Sequence, residues 1–475
     1  MQATLRGGTV RPPMARPSAV IIATSLVVVG VAIESGVQAV SSQNTLLFVL
    51  PLAAVVGVAL VVLGCVSFEL FAFTTVALRA SLDITRPQSG SGSSGVGTAA
   101  ASGLDPAGAL AVLFMMAALV WWLMRRHAAM TSPPPSVHRV ALIVFTGAGF
   151  LSIMGSTVPT VSLLEAIRVA AVATMLAVME VLLVDRERVR HLVTAIYLSA
   201  VIPVALTLYN VALHRSQFSS GGFDRYQGTF AQPNPYAIYL TMLIVMGAAI
   251  LPYIDLRRRA LLVALLVGCL ISLYFTYTRS AWVATVVGLF IVAVLGRRRM
   301  LLGLLVVGLA GLVLAVPTVS ERFTDLAGGN VNAAGNTSNS LAWRFDYWGQ
   351  VLPLANRNPA TGIGLKMSSF ETNQAKEPHN DFLRAYVETG VIGTIAYFLL
   401  LASMVVVARQ SLKRAGPGFD RSIAVGFTGC VTAFLIISAV SNVITEVIVL
   451  WYYVAFAAAA YAVTQFKPHL APRAR

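Results

Sequence analysis

Charge is what this chain has least of. Only 11% of its 475 residues are charged and 57% are hydrophobic, against about 25% charged in an average soluble domain, and the mean hydropathy is +0.78. A soluble globular protein is excluded. Cysteine is nearly absent: Cys65, Cys269 and Cys430 all fall inside apolar segments, and an odd, buried set offers neither a disulfide framework nor a thiolate metal site. The six histidines, His127, His138, His191, His214, His379 and His469, are scattered without ligand spacing, which argues against a zinc or iron centre. Acidic residues number 19 against 34 Lys and Arg, a net charge of +15. Such a balance would suit nucleic acid if the cations shared one face. They come instead as short clusters between apolar runs, the mark of cytoplasmic loops. No repeat of the kind that signals the inverted halves of a transporter is visible.

What is there is hydrocarbon in helix-sized lengths. Runs of about 17 to 25 apolar residues, enough to cross roughly 30 Å of bilayer as helix, recur at 18–34, 44–64, 106–124, 140–157, 162–184, 190–213, 234–254, 260–278, 281–296, 300–316, 382–408, 422–441 and 443–465. They are rich in Leu, Val and Ala and lack alternating polarity, so they predict an all-α polytopic bundle of about 12 to 14 spans and not an outer-membrane barrel. The basic clusters at Arg125/Arg126, Arg186 to Arg190, Arg257 to Arg259, Arg297 to Arg299, Arg409 to Arg414 and Lys467 to Arg475 fall at every second break from the fourth span onward. That places 158–161, 214–233, 279–280 and 317–381 outside the cell membrane and the C-terminus inside.

The layout is then a cytoplasmic tail at 1–17, an N-terminal bundle at 18–213 with a flexible Gly/Ser-rich loop at 85–103, spans at 214–316, a long outer loop at 317–381, C-terminal spans at 382–466 and a tail at 467–475. The first span reads as an uncleaved signal anchor. Parity fails in the first hundred residues unless Ser67 to Leu78 crosses as a short helix or lies flat at the interface, and the crossing is preferred. In the long loop, a Gly/Asn/Ser-rich stretch at 328–340 precedes Trp343-Arg344-Phe345-Asp346-Tyr347-Trp348 and Pro359-Ala360-Thr361-Gly362-Ile363-Gly364. These suit a short interfacial helix and a turn leading back to the membrane.

The polar residues that remain gather on the outer side. His379 lies in Glu377-Pro378-His379-Asn380-Asp381 at the mouth of a span, Arg225 just before the span that begins near Asn234, and Arg279 in the short turn Tyr277-Thr278-Arg279-Ser280. Guanidinium groups bind phosphate oxygens bidentately and keep their charge, so several at one interface would hold a lipid diphosphate. The plain alternatives are an arginine that snorkels to headgroups and a solvated loop histidine. Arg384 and Glu388, four apart on one helix face, read first as an ion pair that lets both charges enter the membrane, as do Glu165 and Arg168 three apart. Glu180 and Glu446 are intramembrane acids without an obvious neighbour in sequence.

Taken together, Arg-Tyr-Gln-Gly-Thr-Phe-Ala-Gln-Pro-Asn (225–234), Tyr-Thr-Arg-Ser-Ala-Trp (277–282), Trp-Arg-Phe-Asp-Tyr-Trp (343–348), Gly-Ile-Gly (362–364) and Pro-His-Asn-Asp-Phe-Leu with Glu-Thr-Gly-Val-Ile-Gly (378–393) resemble the O-antigen ligase and polymerase superfamily, in order and in placement around one long loop. The resemblance implies a C-type membrane glycosyltransferase that moves a glycan from a polyprenyl-diphosphate carrier to a glycan, lipid or protein acceptor on the outer face, without metal, nucleotide sugar or other cofactor. It implies that Arg225, Arg279 and, by a looser match, Arg344 hold the donor diphosphate, that His379 engages the acceptor hydroxyl and removes its proton, and that Asn380, Asp381, Arg384 and Glu388 support them. Ligase, polymerase and protein glycosyltransferase share these motifs. A flippase of lipid-linked sugars would need polar groups near the midplane and broken helices, whereas the polar residues here gather mainly at the outer face, and a docking scaffold would not need three arginines and a histidine on one face.

Overall fold

A computed structural model describes residues 57–85, 106–124, 135–220, 223–305, 340–372 and 377–466. The expected tails, the spans at 18–34 and 44–56, the Gly/Ser-rich loop beyond residue 85, the Arg125/Arg126 cluster, the span at 300–316 beyond residue 305 and the loop stretch 317–339 lie outside the described residues. The chain divides into two compact units, 1–71 and 72–475. The first contributes an apolar helix, Gly57–Val66, and the start of the next.

The helices are α1 (Phe68–Arg79), α2 (Pro106–Met124), α3 (Val137–Leu151), α4 (Pro159–Leu182), α5 (Arg186–Ser199), α6 (Val201–Ala212), α7 (Pro233–Ile250), α8 (Leu256–Phe275), α9 (Arg279–Leu295), α10 (Ser340–Val351), α11 (Asp381–Arg414), α12 (Phe419–Val440) and α13 (Val447–Ala462). Among the described residues one hairpin, β1 (Phe218–Ser220) and β2 (Phe223–Arg225), pairs Phe218 with Arg225. Seven helical stretches among the described residues are long and apolar enough to cross a membrane, so the protein is an all-α, multi-pass membrane bundle. The 12 residues of α1 reach only about 18 Å at 1.5 Å per residue, short of the roughly 30 Å hydrocarbon core.

Local chemistry sets the helix edges. Ser136, Asp185 and Asp255 each accept the N–H of the residue three places on, starting α3, α5 and α8, the usual way an N-cap oxygen satisfies an orphan donor. Proline opens α4 and α7, where its missing N–H costs nothing. The expected span at 190–213 divides into α5 and α6 at Ala200. Pro203 has no N–H to offer the carbonyl of Ser199, which interrupts the ladder there.

Sequence periodicity also predicts an unbroken helix over 382–408, and the structure differs. Within α11, Gly390 adopts φ 65° and ψ −167°, and the Pro359–Gly364 turn fills the gap. Ile363 N–H donates to the Val387 carbonyl (3.0 Å) and Gly364 N–H to that of Glu388 (3.0 Å), while Val391 and Ile392 N–H donate to Pro359 (2.9 Å) and Ala360 (3.2 Å). Every backbone group released by the kink that these bonds reach is satisfied by the loop, which is how a broken helix survives inside a membrane bundle.

At the centre, α7 and α13 are buried along almost their whole length, while α8 turns Leu261, Val267 and Leu270 outward, as a lipid-facing helix does. α12 packs on both α7 and α9, α11 on α3, and α13 on α4. The α9–α12 crossing is made by facing glycines: a Cβ on Gly429 would stand 2.9 Å from the Gly288 carbonyl, the small-residue contact by which membrane helices approach closely. Hydrogen bonds define the two ends of the bundle. At one, Arg186 binds Asp420 (2.8 Å) and Arg298 caps the Ala248 and Ala249 carbonyls at the end of α7. At the other, Arg225, Asn234 and Thr278 meet, and His379 meets Asn442.

Candidate functional site

The second of these ends is built first by Arg225. Its Nε donates to the Thr276 carbonyl (2.7 Å) and its Nη2 to Asn234 Oδ1 (2.6 Å) and Thr278 Oγ1 (2.9 Å). The guanidinium also lies 5.8 Å from the ring centroid of Phe218, its cross-strand neighbour. Arg225 therefore fastens the hairpin to the start of α7 and to the turn between α8 and α9. Its Nε/Nη2 edge is spent on the protein, so what it offers a ligand from that edge is charge more than a two-pronged grip. Gly228, at φ +60°, lets the following loop pass within 2.8 Å of the Pro203 carbonyl, measured from the Cβ that any other residue would add.

The turn fastened by Arg225 leads into Arg279, the first residue of α9. The N-terminus of a 17-residue helix carries partial positive charge, which favours an anion. Arg344, half-buried on α10, lies within electrostatic reach of Arg279. Burial, followed by the positive charge of Arg279, lowers its pKa from the ordinary arginine value. Guanidinium does not deprotonate in practice, so the pair is held charged at the expense of mutual repulsion.

One helical turn beyond Arg344, Trp348 Nε1 donates to the Pro378 carbonyl at 2.6 Å, and residues four apart share a helix face. The arginine-bearing helix is thereby tied to the residue before His379. His379 itself adopts φ +54°, a left-handed conformation uncommon outside glycine though tolerated by histidine, and one that tends to persist where surrounding contacts enforce it. Two such contacts come from Asn442. Its Oδ1 accepts the His379 backbone N–H at 2.8 Å, and its Nδ2 stands 3.2 Å from His379 Nδ1.

The expected supporting residues divide into two groups. Asn380 caps α11, accepting Phe382 and Leu383 N–H at 3.0 Å each. Asp381 accepts the N–H groups of Val443 (2.8 Å) and Ile444 (3.0 Å) and the Tyr397 hydroxyl (3.0 Å), so it anchors the segment that presents Asn442. Arg384 and Glu388 belong to a buried network away from solvent: Arg384 pairs with Glu388 (3.0 Å) and Glu377 (2.8 Å), and Glu388 also accepts Lys366 N–H (2.8 Å) and Ser368 Oγ–H (2.5 Å). This network secures the loop beneath the site. Glu165 and Arg168 pair at 2.9 Å. Glu180, lacking any neighbour in sequence, finds Ser136, His138 (3.0 Å) and Arg139 (3.4 Å) across the bundle, and Glu446 sits at the start of α13.

Sequence reasoning missed Asn442, Asn234, Thr278, Trp348 and Glu377 as site builders. The apolar segments 422–441 and 443–465 leave Asn442 as a one-residue break, whereas the structure opens that break to the six residues between α12 and α13. A polar Ser441-Asn442 pair between two apolar runs is the signal that marks it.

Residues 261–398 match the family model described as O-antigen ligase. The matched stretch runs from α8 to the first half of α11 and contains Arg279, Arg344, His379, Arg384 and Glu388, while Arg225 and Asn442 fall outside it. No curated protein matches the chain.

Proposed function

We propose that this chain, which matches the O-antigen ligase family model over residues 261–398, is a glycosyltransferase that takes a glycan from a polyprenyl-diphosphate carrier and gives it to an acceptor hydroxyl at the outer face of the cell membrane. The observation that carries the reading is that Arg344, within electrostatic reach of Arg279, stands on the helix that Trp348 ties to the His379 turn through the Pro378 carbonyl. A like-charge pair at a helix N-terminus suits an anion with at least two charges, and a diphosphate at the membrane surface has that form.

In the reaction, the acceptor oxygen bonds to the anomeric carbon as the bond from that carbon to the diphosphate oxygen breaks, the electron pair leaving with the diphosphate. Attack from the face opposite the leaving group inverts the centre. Charge grows on the diphosphate in the transition state, and fixed cations already in place stabilise it without reorganisation. Arg225 contributes charge and fixes the turn, Arg279 and Arg344 hold the diphosphate, and His379 contacts the reacting oxygens.

The test is an envelope glycan profile of a deletion strain complemented with wild type or His379→Ala, with expression checked by blot. Loss of glycan and accumulation of lipid-linked intermediates in both the deletion and the variant are expected. Single repeat units left on the carrier identify a polymerase, and full-length chains identify a ligase. A profile fully restored by His379→Ala refutes the assignment of the site.

A further inference from the structure

The reading above leaves open what His379 does with its proton, and the Asn442 clamp answers it. An asparagine side chain has one accepting end and one donating end. The accepting end is committed, because the His379 backbone N–H is a donor and Oδ1 receives it at 2.8 Å; turning the amide over would set NH₂ against N–H. The donating end then faces Nδ1 at 3.2 Å. Nδ1 is the acceptor in that bond, so the ring proton of the neutral imidazole resides on Nε2.

We propose that Asn442 is a positioning residue that fixes His379 as the Nε2–H tautomer, so that in the proposed transfer His379 donates a hydrogen bond to the departing diphosphate and does not take the proton of the acceptor. The assignment departs from the expectation of proton removal and rests on the transferase reading. A lone pair on Nε2 is what a general base needs, and this tautomer has none to give there. A neutral donor on the turn that Trp348 ties to the Arg344 helix instead extends the set of groups offered to the leaving group. The step balances with solvent as the proton acceptor: the acceptor oxygen forms its bond to the anomeric carbon, the diphosphate leaves from the opposite face with the electron pair, and the acceptor proton, made acidic as its oxygen bonds to carbon, passes to water at the outer face. His379 keeps its proton throughout.

The clamp is itself held in register. Asp381 binds the N–H groups of Val443 and Ile444, directly after Asn442, and is steadied by the Tyr397 hydroxyl, which also meets Ser438 Oγ at 3.1 Å. Of the ionisable groups on the His379 turn and the facing segment, Glu377 is engaged by Arg384, Asp381 as just described, and Glu446 stands where the facing segment enters α13, while Arg344 lies on the helix tied to Pro378. The positive φ of His379 presents the backbone N–H and the ring on the same side, which is what one amide needs to reach both.

The experiment uses the full-length protein in nanodiscs with lipid-linked glycan extracted from the deletion strain as donor, and thermal unfolding to confirm that each variant folds. His379→Ala is expected to lower kcat by about 10²- to 10³-fold, the usual cost of removing one donor to a developing anion. His379→Gln, whose amide N–H reaches close to the place of Nε2–H, is expected to recover at least tenfold over His379→Ala. In Asn442→Asp the carboxylate accepts from both the backbone and Nδ1–H, so the neutral ring exposes an Nε2 lone pair and only the doubly protonated ring still donates; transfer by this variant falls as pH rises. If His379→Gln is as inactive as His379→Ala and Asn442→Asp gains activity as pH rises, His379 is a proton acceptor and the proposal is overturned. Nitrogen NMR of histidine-labelled protein, with His379→Ala to assign the signal, tests the tautomer without a donor: an unprotonated Nδ1 supports it and a protonated Nδ1 overturns it. A wild-type protein inert toward the lipid-linked donor overturns the transferase reading, and the NMR result still decides the tautomer.

Discussion

Replacing Arg344 by glutamine separates a ligand-holding arginine from a structural one, because the two roles move stability and affinity in different directions. Arg344 is half-buried beside Arg279, and both its burial and that neighbouring charge disfavour its ionised form. In the donor-free protein the side chain is therefore a cost, and glutamine, which is shorter and keeps a polar amide but drops the charge, removes it. The donor-free variant is expected to unfold at the same temperature as wild type or slightly higher. With donor the sign reverses. A hydrogen bond to a charged group contributes about 1.5–3 kcal/mol net, and each 1.4 kcal/mol is about tenfold in affinity, so the affinity for polyprenyl diphosphate is expected to fall by about 10- to 150-fold. The assay is thermal unfolding in nanodiscs across a titration of polyprenyl diphosphate, which reads both quantities: the midpoint without ligand gives stability and the ligand-dependent rise gives affinity. A lower midpoint with unchanged ligand stabilisation would refute the reasoning, since it would make Arg344 a brace of α10 and leave the like-charge pair without a function.

Arg279→Lys keeps the charge and loses the fork, so donor KM in the transfer assay is expected to rise by about tenfold or more, the loss of one charge-assisted arm; an unchanged KM would make Arg279 a point charge only. Arg384→Met strands the buried carboxylate of Glu388 and removes the partner of the partly exposed Glu377, and breaking a buried pair from one side costs about 3–5 kcal/mol. A large drop in unfolding midpoint, partly recovered by adding Glu388→Gln, is the expected outcome, and an unaltered midpoint would contradict the network described. Gly362→Ala places a Cβ 2.4 Å from the Glu388 carbonyl in a residue at φ +77°, and a strained backbone position costs about 1–3 kcal/mol. The Pro359–Gly364 turn should then leave the α11 kink, which limited proteolysis of 352–372 would reveal as faster cutting; protection equal to wild type would show the close approach to be dispensable.

Most of the bundle was legible because hydrophobic length needs no partner to be read. The apolar run at 106–124 is α2, and those at 162–184, 234–254 and 422–441 correspond to α4, α7 and α12 with edges shifted by a few residues, the starts of α4 and α7 being set by their opening prolines. What periodicity could not show is where a helix breaks for the sake of another segment. Nothing local to Val387-Glu388-Thr389-Gly390 announces that its freed backbone groups are filled from Pro359 to Gly364; Gly362 and Gly390 are each other's reason, since a Cβ on Gly390 would fall 2.6 Å from the Gly362 nitrogen. The two glycine motifs are one structure seen at two places in the chain.

The site divides along the same line. Arg279, Arg344 and His379 stand out in sequence because a charge or an imidazole among so much hydrocarbon needs an explanation, and each can be read alone. Asn442 cannot. It is neutral, sits 63 residues from His379, and acts through the two ends of an amide whose orientation is set only when the His379 backbone N–H arrives. The same asymmetry separates the two kinds of work in this protein: fixed charges attract a diphosphate from a distance and tolerate small errors of placement, whereas a tautomer depends on a single hydrogen bond being made the right way round. Asp381 makes this concrete. Its carboxylate lies among the motif residues, yet it reaches no ligand in the geometry described; it spends both oxygens on Val443, Ile444 and Tyr397 and so holds Asn442 in register with the histidine two residues before it. A substitution there, such as Asp381→Asn, which keeps one acceptor and replaces the other by a donor, should disturb the imidazole without touching any arginine. Transfer would fall while the affinity for polyprenyl diphosphate stayed near that of wild type, and a parallel loss of both would mean that the anchor supports the whole end of the bundle and not the tautomer alone.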